Sequence, residues 1–223
     1  MNDFFDYFFK KYALPENSTP LTAEELSEIA STLPSQLHEL YSTYGRCTLR
    51  SGRIQICHPQ DLKPVLELAL GNDPALSFHS CHAFAYTAFG EIYFYSKVYG
   101  CGAIETLTGK VYCENLTSPT TADDDIEYSI YVPFSMSDES LDFDDLAGIP
   151  LFSRAQKKLG KLNIGECYGF VPALDLGGES STNNLKRERA PEHLSIIAQL
   201  KTFKLIKILD NGQTEAVRQI NNT

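Results

Sequence analysis

Histidine and cysteine are the first residues to weigh, because together they can hold a metal ion or build a thiol nucleophile. The stretch FHSCHAF places His79, Cys81 and His82 close together, and Cys57-His58 forms a second pair. On a strand, His79 and Cys81 share one face while His82 points the other way, so this run alone does not converge on a metal. The plainer reading is a buried thiol beside histidines at a sheet rim. A Cys/His nucleophilic pair drawn from distant parts of the chain stays open, since neighbours in space need not be neighbours in sequence. No nucleophile elbow, HExxH, P-loop or GxGxxG accompanies it, and Gly177-Gly178 alone carries no phosphate signature. No catalytic residue, metal ligand or cofactor is therefore expected.

A stronger signal is MSDESLDFDDL, residues 136–146, with five carboxylates in eleven positions and no lysine or arginine. Between Lys110 and Arg154 no basic residue occurs, while Glu114, Asp123, Asp124, Asp125, Glu127, Asp138, Glu139, Asp142, Asp144 and Asp145 supply ten negative charges. The chain has 29 Asp+Glu against 19 Lys+Arg, a formal net charge of −10; without those ten acids the two counts are 19 and 19. The imbalance is local. Three readings compete for it. One is a solvated connection that aids solubility. A second is a calcium loop, but neither DDDIE nor DFDDL has the central glycine and distal glutamate of an EF-hand. The third is a protein-binding surface, because Tyr128, Ile130, Tyr131, Val132, Phe134, Leu141, Phe143 and Leu146 interleave with the carboxylates as apolar anchors.

Composition sets the wider bounds. A chain of 223 residues with 43% hydrophobic side chains fits one large domain or two small ones sharing a core. Its negative charge argues against generic nucleic-acid binding and favours a basic partner. No stretch approaches ~18 uninterrupted apolar residues, so no membrane span is expected. The opening MNDFFDYFFKKY does not read as a signal peptide. Six cysteines lie scattered through apolar runs, which reads as reduced thiols in a cytoplasmic protein.

The elements that must position these residues follow from periodicity. Phe4, Phe5, Phe8, Phe9 and Tyr12 give a first helix one apolar face, ended by Leu14-Pro15. Thr22 with Glu25 matches a capping box that opens a second helix. Leu37, Leu40, Tyr41 and Tyr44 form the stripe of a third, closed by Gly45. CTLRSGRIQIC reads as a hairpin around Ser51-Gly52, and HPQDLKPVLELAL as a short helix. From Phe78 to Glu114, glycine-separated aromatic and β-branched runs predict an antiparallel meander of three or four strands. Beyond the acids, LFSRAQKKLG reads as a helix, ECYGFVPAL as a strand and PEHLSIIAQL as a helix. FKLIKILDNG is expected to be a last strand, and QTEAVRQINNT a tail that frays. The loop ALDLGGESSTNN is exposed and polar, a second candidate surface.

The order of these segments resembles a known group. LPSQLHELYSTYG, a glycine-bearing hairpin and TAFGEIYFYSKVYGCGAIETLTGKVYCE are similar to the GAD-like domain of bacterial immunity proteins and to the broader SUKH-type immunity fold. GIPLFSRAQKKLG, ECYGFVPALDLGGES and NNLKRERAPEHLSIIAQL resemble the C-terminal domain of type VI secretion immunity proteins that protect against DNase effectors. The two likenesses cover about residues 1–115 and 147–202. They imply a cytoplasmic, non-enzymatic inhibitor that binds a cognate effector toxin, and they supply no catalytic set.

The expectation is thus an α+β protein. A helical N-terminal segment packs on an antiparallel meander sheet (1–115), an acidic connecting segment follows (116–146), and a smaller α+β lobe closes the chain (147–223). Its expected partner is a basic nuclease, neutralised by blocking the active site or substrate access, with no cofactor, direct nucleic-acid contact or membrane contact. The expected contacts are Asp123, Asp124, Asp125, Glu127, Asp138, Glu139, Asp142, Phe143, Asp144 and Asp145. Two other classes stand beside this one: an adaptor with no toxin, and a Cys/His-dependent enzyme.

Overall fold

Phe5 and Phe8, one turn apart, are buried on the inner face of the first helix, α1 (Asp3–Tyr12), which Asn2 caps through the Phe5 N–H. Burying each aromatic ring contributes about 2 kcal/mol. The computed structural model describes residues 2–119 and 123–220. After a two-residue strand, β1 (Ser18–Thr19), comes α2 (Ala23–Thr32), opened by the expected Thr22–Glu25 capping box. The third helix, α3 (His38–Tyr44), stops at Gly45, whose φ is 62°. A Cβ there would meet the Thr19 carbonyl oxygen at 2.1 Å, so only glycine lets the chain turn into the sheet against β1.

Strands β2 (Arg46–Leu49) and β3 (Ile54–Ile56) form the expected hairpin. Helix α4 (Lys63–Leu70) leads to the meander: β4 (Cys81–Thr87), β5 (Glu91–Ser96), β6 (Gly100–Glu105) and β7 (Lys110–Tyr112). Three short helices, α5 (Glu114–Thr117), α6 (Asp123–Tyr128) and α7 (Val132–Ser135), carry the acidic region. Then come α8 (Phe152–Leu159), β8 (Glu166–Phe170), β9 (Leu185–Arg189) and α9 (Ala190–Gln199). The chain closes with β10 (Lys204–Ile208) and β11 (Thr214–Gln219).

Among the described residues one sheet of nine strands runs β1-β2-β3-β4-β5-β6-β7-β10-β11, antiparallel except where β10 pairs parallel with β7. Helices α4 and α9 cover one face through Leu66, Leu70, Leu194 and Ala198. The opposite face carries α1 to α3 and α7, centred on Phe5, Leu40, Tyr41 and Phe134. The smaller C-terminal lobe, β8 with β9 and α8, packs Phe152, Tyr168 and Phe170 against Phe89 at the end of the sheet.

One expectation for the C-terminal part is corrected and one gap is filled. QTEAVRQ does not fray: Asn211-Gly212 turns the chain back as β11, and Ile220 is buried in the core behind it. Arg218 on β11 pairs with the buried Asp73, which ties the strand down. LKRER, which the sequence pattern leaves unassigned, is strand β9, most of whose charged side chains are exposed while its backbone pairs with β8. The last residues of the expected tail, 221–223, lie outside the described residues.

Gln55 locks the two parts together. Fully buried in β3, it donates to the Glu166 carbonyl at 2.8 Å, while its Oε1 accepts from Tyr86 Oη at 2.7 Å and Gly165 N–H at 3.0 Å. Replacing it by leucine orphans three polar groups. Gln55→Leu is expected to destabilise the fold by about 2–4 kcal/mol. Urea unfolding followed by tyrosine fluorescence measures this, and a midpoint equal to wild type would show that the lobes do not depend on the link.

Candidate functional site

The acidic region crosses one face of the sheet from end to end, following β6. It is fixed at its start by Ser129, whose Oγ accepts from the Cys101 N–H at 2.8 Å. Tyr131 stacks on Phe4 with centroids 4.0 Å apart, and Phe134 sinks among Phe5, Phe8 and Phe84. The apolar residues interleaved with the acids are therefore partly core, which is why the pattern alternates.

At the far end the segment meets the β2–β3 turn. Arg50, Ser51 and Gly52 all have positive φ, at 50°, 60° and 92°. For the first two residues that conformation costs about 1–2 kcal/mol each. It points the Arg50 guanidinium inward, 4.2 Å from the Tyr12 ring centroid, where it donates to the Met136 carbonyl at 2.7 Å and pairs with Asp138. Arg53 lies 4.0 Å over the Phe152 ring and reaches both Asp138 at 3.4 Å and Asp142 at 3.2 Å. Asp142 Oδ1 in turn accepts the N–H groups of Phe143 (2.8 Å), Leu151 (3.1 Å) and Phe152 (2.8 Å). It thus caps α8 from nine residues upstream of Leu151, with its charge at the positive end of that helix.

A second anchored stretch follows. Asp145 accepts from Ala147 and Ile149 N–H at 2.8 and 3.0 Å and pairs with Arg154 at 2.7 Å. The Ile149 backbone bond, then Arg154, holds its carboxyl below the usual range. Ser180 donates to the Asp144 carbonyl at 2.7 Å, so the 173–184 loop, the second candidate surface, lies against residues 144–146. Three apolar side chains stand out on these loops: Leu146 (82% exposed), Ile149 (51%) and Leu176 (64%).

The ten expected contacts therefore separate. Asp138, Asp142 and Asp145 have cationic partners within the chain. Glu127 accepts from Gln36 at 3.1 Å. Glu139 and Asp144 are exposed, and neither closes an ion pair among the described residues. Phe143 is half-buried between Phe89 and Phe170, so it packs inward. The side chains of Asp123, Asp124 and Asp125 lie outside the described residues.

Beside the acidic region the sheet is open. A groove of about 550 Å³ has β5, β6, β7 and β10 as its floor, Val132 and Met136 as one wall, and Ile208 and Thr214 as the other. A smaller hollow of about 180 Å³, lined by Asp142 and Phe143, adjoins it, and both share Glu91 and Glu105. Nothing in the sequence pattern singled out these two glutamates, since each alternates normally along its strand. Register alone sets them side by side.

The cysteines and histidines do not converge. Cys81 is buried, His82 half-buried and His79 exposed. Among the described residues no group of three His, Cys, Asp or Glu could hold a metal. Five of the six free thiols are buried, and burial pushes their titration upward, Cys113 to about 11 and Cys47 and Cys81 to about 12. Thiols at such values are not thiolates at neutral pH and make poor nucleophiles. No described helix is long and apolar enough to cross a membrane.

The α+β fold built here has a close counterpart. The crystal structure of Atu4351 from Agrobacterium tumefaciens superposes with a TM-score of 0.90 at 28% identity, covering 98% of this chain and 99% of that one. Residues 3–107 match the GAD-like domain. Residues 130–201 match the T6SS immunity protein Tdi1, C-terminal. The chain thus carries a GAD-like match followed by a match to the C-terminal domain of a type VI secretion immunity protein, the pairing that its motifs resemble. No curated protein matches it significantly.

Structural acids and free acids respond differently to mutation. Asp142→Ala removes a buried ion pair and three backbone bonds, and is expected to destabilise the protein by about 2–4 kcal/mol. Glu139→Ala should leave the unfolding midpoint where it is. Equal midpoints for the two variants in urea would sink this division.

Proposed function

We propose that this protein binds and neutralises a cognate effector of the type VI secretion system, and that the effector is a basic nuclease. The observation that carries the reading is the Tdi1 C-terminal match over residues 130–201, which spans Asp138 to Asp145 and the 173–184 loop. A nuclease presents cationic groups to phosphate, so its cleft attracts a carboxylate-rich surface. The contacts we assign are the acidic region with Glu127, Glu139 and Asp144, which close no ion pair among the described residues, together with Asp123, Asp124 and Asp125. Asp138, Asp142, Asp145 and Phe143 hold that surface in shape. Leu146, Ile149 and Leu176 supply exposed apolar anchors beside the acids.

The division of labour is physical. Long-range attraction speeds encounter, to ~10⁸ M⁻¹s⁻¹ or faster at low salt, and buried apolar groups slow release. Inhibition then works by occupying the active site or obstructing its approach, with no bond made or broken by the immunity protein. Action in the cytoplasm agrees with its free thiols.

The test uses the protein encoded beside this gene, inactivated in its own chemistry. Surface plasmon resonance should give an association rate about tenfold lower for the combined Glu127→Gln, Glu139→Gln, Asp144→Asn variant at low salt, with a shallower salt dependence. Unchanged association would reduce these acids to solubilisers, and no binding by wild type would remove the toxin-neutralising reading altogether.

A further inference from the structure

The open groove is a built feature of the sheet and differs in kind from the acids on its wall. Helices α1 to α3 and α7 cover the β2-to-β5 part of this face, and their cover stops at Met136. Beyond it, β6 offers small side chains, Cys101 and Ala103, so the floor stays low while Val132 and Ile208 rise on either side, both more than half exposed. A volume of about 550 Å³ is within the range of ligand-binding clefts.

The charged side chains that line it are all acidic. Glu91 on β5 and Glu105 on β6 are direct cross-strand partners on the groove face, an arrangement that repels and is normally avoided. Glu114 adds a third acid, and no basic side chain lines the groove among the described residues. Lys110 stands opposite Glu105 in the β6–β7 register and Lys204 beside Lys110 in the β7–β10 register, so two cations stand past Glu105, outside the groove lining. Burial raises the Glu91 carboxyl to about 7, with Tyr93 opposing the shift and Glu105 adding to it. A displaced carboxyl in a cleft is a candidate functional group.

We infer that this groove receives a basic, partly apolar segment of the effector, with a lysine or arginine side chain held between Glu91 and Glu105 and its neighbours resting on Tyr112, Val132, Ile206 and Ile208. This rests on the toxin-neutralising reading and deepens it. The apolar walls explain the exposed Val132 and Ile208, and a cation between the glutamates relieves their repulsion. The groove also places a second contact away from the Leu146 loop, so one partner bridging both would be gripped at two points.

The groups facing Glu91 are Tyr93 on its own strand and Glu105 on β6, with Lys110 and Tyr112 one strand further and Asp142 across the smaller hollow. Of these, Glu91 titrates near neutrality, so protonating it as the pH falls from 8 to 6 should weaken binding, by up to about tenfold per pH unit.

The experiment measures calorimetric affinity for the inactivated neighbour-encoded protein at pH 6, 7 and 8. Glu91→Gln with Glu105→Gln should weaken binding at least tenfold at pH 8 and flatten the pH dependence. Val132→Asp and Ile208→Asp, both at exposed positions, should weaken it independently of pH. Full affinity in all of these variants, with wild type still binding, overturns the groove while leaving immunity intact. No binding by wild type overturns both.

Discussion

Two arginines on one tight turn hold this molecule's unusual charge in place. Ten carboxylates without a cation in the same stretch would repel one another and keep the segment away from a sheet. Arg50 and Arg53 arrive from nearly ninety residues earlier in the chain and take up Asp138 and Asp142. Their own positions are secured by rings, Tyr12 for one and Phe152 for the other. The clasp therefore gathers α1, the β2–β3 turn, the acidic segment and α8 at a single point, and it also explains why a non-glycine residue is tolerated at positive φ there.

With that end fixed, the rest of the acidic segment is constrained as well. Tyr131 and Phe134 enter the core beside α1, Phe143 packs against Phe89 and Phe170, and the acids from Asp138 to Asp145 face outward or meet an arginine. The same path stops short of β7 and β10, which leaves their face bare. One segment thus creates both the anionic surface and the edge of the groove next to it.

Much of the fold could be read from the chain because it obeys local rules. The capping box at Thr22, the stripe on α3, the glycine at its end and the meander all follow from propensity and period. What could not be read depends on distant partners. LKRER has the composition of a solvated loop and becomes a strand only because β8 offers it an edge. TEAVRQ becomes one because β10 does, and because Asp73 waits for Arg218. Among the acids, sequence cannot distinguish Asp142, buried under α8, from Asp144 two residues later, which faces water; the arginines and N–H groups that separate them come from elsewhere. Glu91 and Glu105 were invisible for the same reason, being neighbours only through strand register.

The parallel pairing of β10 with β7 bears on how the chain comes to fold. The meander leaves an unfilled sheet margin at β7 (Lys110–Tyr112) until β10 (Lys204–Ile208), far along the chain, docks beside it. An unpaired strand edge of this kind is a template for pairing with another extended chain. Closure of this sheet edge thus waits on a strand that lies beyond residues 3–107, and the meander alone leaves it unpaired.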